Sequence, residues 1–273
     1  MKKETLLNKL LSYFIAENNE MKIMDMPSDY IEKRRLLRVL MNIRIPQPID
    51  SNILKLHDDF LLEETKEKNI VNPYELHTVA EDFNETKTPL LTKLVLWQGD
   101  ITTIAVDAIV NAANSKMLGC FVPLHRCIDN AIHSAAGIEL RLECNEIMEK
   151  QGFDEPTGHA KITKAYNLPS KYVLHTVGPI IYDNLSEEDC RLLASCYTSC
   201  LEKASEYDVI KTVAFCCIST GEFRFPKNIA SKIAVETVCN WLKVNPNRFD
   251  RIIFNVFTRE DYNEYARLFR EYN

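Results

Sequence analysis

The sequence predicts an α/β fold, on three observations. From Leu90 onward short apolar runs alternate with long amphipathic segments, the pattern of helices packed on a largely buried sheet. Before Leu90 apolar residues recur only at helical spacing. With 273 residues, the chain is long enough for one large core and a smaller companion unit.

Taken in order, residues 1–76 read as a helical N-terminal region. Leu6, Leu7, Leu10, Leu11 and Phe14 form one helical stripe, and Leu36, Leu37, Val39 and Leu40 another. Pro46 and Pro48 interrupt the pattern before Ser51 opens a further helix through Leu61 and Leu62. The polar stretch 77–89 reads as a linker, and 90–273 as the main domain. There, strands are expected at Leu94 to Trp97, Ala108 to Asn111, Lys161 to Tyr166, Tyr172 to Val177, Thr212 to Ile218 and Arg251 to Phe257. Helices are expected at Ile128 to Lys150, Glu187 to Glu206, Ile229 to Val244 and Arg259 to Tyr272. No internal repeat or low-complexity segment interrupts the pattern.

Composition narrows the function. A hydrophobic fraction of 46% and a charged fraction of 26% belong to an ordinary globular chain. A net charge of -6 with no basic run argues against nucleic acid as a partner. A small anion remains possible, because helix N-termini bind phosphate through backbone amides. No stretch approaches the roughly 18 apolar residues of a membrane span, and the start lacks a secretory signal. The 9 cysteines, unevenly spaced, point to a reducing cytoplasm rather than a disulfide framework. Cys216, Cys217 and Cys239 read as small buried hydrophobes.

In a sheet of this kind ligands bind beyond the C-terminal ends of strands. Three such ends carry unusual polar residues: Gly99-Asp100-Ile101-Thr102, Asn111-Ala112-Ala113-Asn114 and Ser219-Thr220-Gly221-Glu222. Each alone suits an ordinary turn. Between the second of them and the next helix lie Cys120, His125 and Cys127. Two thiols and an imidazole are the donors zinc prefers, and with only three of them a fourth position stays open, as in a catalytic zinc site. Chance clustering in a Cys-rich chain is the alternative, and spacing does not choose between them. His133 and His175 sit in apolar surroundings and read as packed, satisfied core residues, and Trp97 as a core aromatic.

These motifs resemble the macrodomain family. The resemblance rests on Gly99 to Thr102, Asp107 to Asn114, Asp129 to Gly137 and Ser219 to Gly221 followed by Phe225-Pro226, in the family's order, and covers roughly Leu90 to Asn273. It implies a three-layer α/β/α arrangement around a mixed, mostly parallel sheet. The usual macrodomain has a glycine run where this chain has Cys120, His125 and Cys127, and that replacement is similar to the zinc-dependent microbial branch, which also carries a helical N-terminal segment. The resemblance therefore implies one zinc ion per chain. Arg224 stands where the family often has Gly.

By the same resemblance, Asp100 would accept a hydrogen bond from the adenine amino group of ADP-ribose, beside the Ile101 backbone amide. Ser219, Thr220, Gly221, Glu222 and Phe223 would present backbone N–H groups to the diphosphate, and Phe225 would pack near the distal ribose. Asn114 would orient that ribose and Asp129 would be the general base; a plain helix N-cap is the other reading of Asp129. The implied activity is zinc-dependent hydrolysis of mono-ADP-ribose from protein side chains, with an Asp or Glu ester as the expected linkage. The metal would hold the distal ribose or the attacking water. Alternatives are a non-catalytic ADP-ribose reader and a deacetylase of O-acetyl-ADP-ribose. The branch further suggests a lipoyl-carrier protein as substrate and pairing with a sirtuin-type ADP-ribosyltransferase in bacteria.

Overall fold

The computed structural model describes residues 3–18, 26–83 and 89–271. Three helices come first: α1 (Lys3–Glu17), α2 (Tyr30–Ile43) and α3 (Ser51–Lys66). Their apolar stripes meet in a core of their own, where Leu7, Leu10, Leu11 and Phe60 are fully buried. Asp29 and Asp50 cap α2 and α3 by accepting bonds from the first free backbone N–H groups. Ile138, from the main domain, completes this small core.

The stretch expected as a linker begins with ordered structure. Thr78 and Glu81 form a capping box on α4 (Val79–Asp82), and Val79 and Ala80 are buried in the main core. Residues 84–88 of that stretch lie outside the described ones.

The main domain is built on β1 (Leu94–Gln98), β2 (Ala108–Ala113), β3 (Ala160–Lys164), β4 (Tyr172–Val177), β5 (Thr212–Phe215) and β6 (Arg251–Val256). The sheet order is β1-β6-β5-β2-β4-β3, with every neighbour pair parallel except β3 against β4. The expected strands are all present. The strand from Thr212 ends at Phe215, so Cys216 to Ile218 already belong to the turn that leaves the sheet.

Helices α5 (Ile128–Ala136) and α6 (Ile138–Gln151) pack beside β2 and β3; α7 (Glu187–Ser205), α8 (Lys227–Val244) and α9 (Arg259–Glu271) form the other layer. Strands buried on both faces explain why these runs read as continuous apolar sequence. Among the described residues no helix is long and apolar enough to cross a membrane.

One helix expected from Ile128 to Lys150 is in fact two. Gly137, at φ 99°, ends α5 and starts α6, and a Cβ there would lie 2.8 Å from His57 Cε1 of α3. The glycine thus serves a backbone shape that L residues avoid and a close approach between the two units. Gly137→Ala should cost about 1–3 kcal/mol, read as a lower melting temperature, by about 2–4 °C for each kcal/mol in a chain of this size. An unchanged melting temperature would contradict this account of the break.

Candidate functional site

The parallel strands deliver their C-terminal ends to one edge, and the polar turns gather there. After β1, Asp100 Oδ1 accepts from Thr102 N at 2.9 Å and from Thr102 Oγ1 at 2.8 Å, capping a 3-10 turn whose first residue, Ile101, is buried. Asp100 also lines a cleft. That cleft is bounded by Asp100, Thr102, Ala131 and Ala135 of the main domain and by Arg34 and Arg38 of α2.

After β5 the chain enters the loop carrying Ser219 to Phe223. Ser219 and Arg224 both hold left-handed backbone, φ 64° and 58°. Phe225 N donates to Ser219 O at 3.0 Å and Arg224 N to Gly221 O at 3.0 Å, which folds the loop back on itself. Ser219 Oγ is buried with no hydrogen-bond partner among the described residues. It lies so close to Gly178, just after β4, that a Cβ on Gly178 would overlap it. Phe225 is fully buried in the main core beneath the loop, and Phe223 O accepts from Ile181 N at 2.9 Å. The indole of Trp97 packs over Gly99 and is half-buried.

Cys120, His125 and Cys127 converge. One donor atom from each lies within 4.8 Å of the other two. The chain comes round between them by a turn in which His125 N donates to Val122 O at 3.2 Å, with Pro123 second and Leu124, φ 56°, third. Cys127 is the N-cap of α5, its Sγ accepting from Asn130 N at 3.4 Å. Burial raises the pKa of its thiol above the usual thiol range, against the hydrogen bond from Asn130 N. Glu222 Oε1 sits 3.5 Å from His125 Nε2, while His125 Nδ1 is buried and unpartnered among the described residues. The loop of Ser219 to Phe223 and the Cys-His-Cys loop therefore meet at this pair.

Below them lies Asp129. Because Cys127 caps the helix, Asp129 stands in the first turn with its carboxylate turned inward. Asn111 Nδ2 donates to Oδ1 at 2.8 Å, and Asn114 Nδ2 to Oδ2 at 3.3 Å. Burial pushes this carboxyl up to about 6, against the hydrogen bond from Asn111, the charge of Arg141 and the hydrogen bond from Asn114. Asn114 also donates to Gly119 O at 3.2 Å and accepts from Lys116 N at 3.0 Å, which ties the loop to the strand end.

A third layer had only a partial signal in the sequence. His133, Cys144 and His175 bring their donor atoms within 4.8 Å of one another in the interior. Asn111 Nδ2 donates to His175 Nδ1 at 3.2 Å, so His175 Nε2 carries the proton and donates to Thr163 Oγ1 at 2.9 Å. Burial holds His175 down at about 3 and His133 well below its usual range, so both rings stay neutral. His175 is the satisfied core residue expected. His133 is buried as expected but not satisfied: among the described residues neither ring nitrogen makes a hydrogen bond, although Asp129 Oδ1 lies 3.5 Å from its Nε2. Its ring packs on Gly119, where a Cβ would lie 2.7 Å from His133 Cγ.

Residues 110–234 match the Macro domain family model. A protein-ADP-ribose hydrolase of Treponema medium is 49% identical over 259 residues, 95% of this chain and 96% of that one. A protein-ADP-ribose hydrolase of Staphylococcus aureus (strain MSSA476) is 42% identical over 264 residues, 96% of this chain and 94% of its own. The Trypanosoma brucei macrodomain in complex with ADP-ribose superposes with a TM-score of 0.63 at 28% identity, over 84% of this chain and 94% of that one. The chain belongs to the macrodomain family. Its full-length relatives place it with the protein-ADP-ribose hydrolases, helical N-terminal region included.

Asn111 is the site residue that motif reading passed over. Only its burial on a central strand, at 0% exposure, and its two acceptors reveal its part. Asn111→Ala removes the nearest donor to a buried carboxylate and to His175, and should cost about 1–3 kcal/mol. The check is the denaturant midpoint, which should fall without a change of slope; an unmoved midpoint would show that Asp129 does not depend on this bond.

Proposed function

We propose that this chain is a zinc-dependent hydrolase that removes mono-ADP-ribose from Asp or Glu side chains of cytoplasmic bacterial proteins. The carrying observation is the convergence of Cys120, His125 and Cys127 in the loop that joins Asn114 to Asp129, two residues that are hydrogen-bonded to each other. The donor set suits zinc. A tetrahedral ion at roughly 2.3 Å from sulfur and 2.0 Å from nitrogen keeps its donors within about 4 Å of each other, a small contraction of the trio seen. The unpartnered, buried Nδ1 of His125 fits a nitrogen left for a cation, with Glu222 on the opposite nitrogen to orient the ring.

In this reading Asp100 Oδ2 accepts from the adenine amino group beside Ile101. The backbone of Ser219, Thr220, Gly221, Glu222 and Phe223 binds the diphosphate, a role suited to a loop folded so that its amides share one concave face. Asn114 orients the distal ribose. Asp129, kept dry and close to neutral pH by burial, accepts a proton from a hydroxyl or water at that ribose. A bound zinc ion would supply Lewis acidity at the distal-ribose end. The names of the Treponema and Staphylococcus relatives support release rather than mere binding. A lipoyl-carrier protein is the substrate, and a sirtuin-type transferase the opposing enzyme, that the reading favours.

Two experiments test it. Purified protein incubated with a mono-ADP-ribosylated protein should release free ADP-ribose, and Asp129→Ala should slow release by about 10²–10⁴-fold while still binding ADP-ribose. Cys127→Ala should lose both zinc and turnover with its melting temperature nearly kept; full hydrolysis by that zinc-free variant would sink the metal's role. For the diphosphate loop, Gly178→Ala should displace Ser219 and weaken ADP-ribose binding on the order of tenfold by calorimetry. Unchanged affinity would remove that loop from the ligand's contacts.

A further inference from the structure

The helical N-terminal region reaches the loop that carries the three metal donors. Asn42, in the last turn of α2, is 1% exposed. Its Oδ1 accepts from Leu124 N at 3.0 Å, and its Nδ2 donates to Ser134 Oγ at 3.1 Å. Ser134 in turn donates to Asn130 Oδ1 at 3.3 Å, which also accepts from Arg38 Nη2 of α2 at 2.7 Å. Asn130 Nδ2 donates to Val122 O at 3.0 Å and to Cys120 O at 3.4 Å. The network is closed: α2 holds Leu124 directly, and through Asn130 it holds the two carbonyls on the other side of the turn.

Arg141 of α6 locks the same three parts together. Its Nη1 donates to the carbonyls of Met41, Asn42 and Arg44 at the C-terminal end of α2, at 2.9, 3.1 and 2.5 Å. Those carbonyls lack intrahelical partners, so the guanidinium completes the end of the helix. Its Nε donates to Leu118 O at 2.7 Å, and its Cζ lies 4.4 Å from the centroid of the Phe121 ring. The start of the loop and the end of α2 are thus fastened to one side chain.

Leu124 is the point where this matters. It holds the third position of a turn at φ 56°, which favours Gly or Asn and which a leucine occupies only when its surroundings over-determine it. Asn42 supplies that constraint, and the next residue is His125. We propose that Asn42 is a positioning residue of the metal centre, holding the Val122–His125 turn in the shape that brings the His125 imidazole to Cys120 and Cys127. The inference rests on the zinc reading above. It gives the helical region a role apart from substrate docking: the metal loop is built from both units. In a macrodomain with a glycine run there, no such brace is needed, because glycine reaches left-handed backbone without strain.

The test is zinc affinity, read by competition with a chromophoric chelator on the full chain. Unmodified protein should bind one zinc ion, and Asn42→Ala should bind it on the order of 10-fold more weakly. With cobalt in place of zinc, the variant should show an altered thiolate-to-cobalt absorption band. Asn42→Asp keeps an acceptor for Leu124 N, and the Ser134 hydroxyl can turn to donate to it, so this variant should restore affinity and spectrum. Arg38→Met, acting on Asn130 from a half-buried position, should weaken zinc in the same direction and serves if Asn42→Ala does not fold. Unmodified protein that binds zinc while Asn42→Ala and Arg38→Met match it in affinity and cobalt spectrum would overturn the inference alone. Unmodified protein that binds no zinc would overturn the metal reading and this inference with it.

Discussion

Burial of the Asp129 carboxylate is the constraint around which the main domain is arranged. A carboxylate removed from water is costly unless donors and positive potential replace its hydration. Here Asn111 and Asn114 come from the middle and the end of β2, the first turn of α5 lends its N-terminal dipole, and Arg141 adds a charge from α6. Each of those contributors has a second duty. Asn111 also donates to His175, Asn114 to Gly119 O, and Arg141 to the end of α2. A group poised near neutrality therefore sits at the junction of strand, loop and helix, and small shifts in any of them reach it.

The loop between β2 and α5 carries the second constraint. A chain without a glycine run must still turn tightly enough to bring two thiols and an imidazole together. It does so with Gly119 stacked on His133, a Pro-Leu turn, and a thiol as helix cap. The strain concentrates at Leu124, and the side chains that balance it come from a unit more than one element away in the chain. A helical region with its own small core, joined through Ile138 and Arg141, is thus continuous with the site rather than appended to it.

Much of this was legible before folding was considered. The strands were readable because parallel strands covered on both faces leave unbroken apolar runs, and the ends of those runs marked Asp100, Asn114 and Ser219 as neighbours. The cysteines and the imidazole stood out by chemistry. What escaped was mostly pairing between buried polar groups. His133 reads as a satisfied core residue, yet among the described residues neither of its ring nitrogens makes a hydrogen bond, and Asn111 looks like one more polar residue in a motif. The single long helix also failed at Gly137, because a glycine within a helical pattern does not say whether it is tolerated or used.

The sequence by itself determined the class of fold, the edge of the sheet where polar residues collect and the kind of donor available there. Those properties follow from periodicity and side-chain chemistry, which are local. Tertiary structure alone decided that Asn42 meets Leu124, that Asn111 meets Asp129, and that Glu222 meets His125. Such meetings join residues far apart in the chain. They are set by how layers pack and by the need of each buried donor and acceptor for a partner, a requirement no single segment can satisfy within itself.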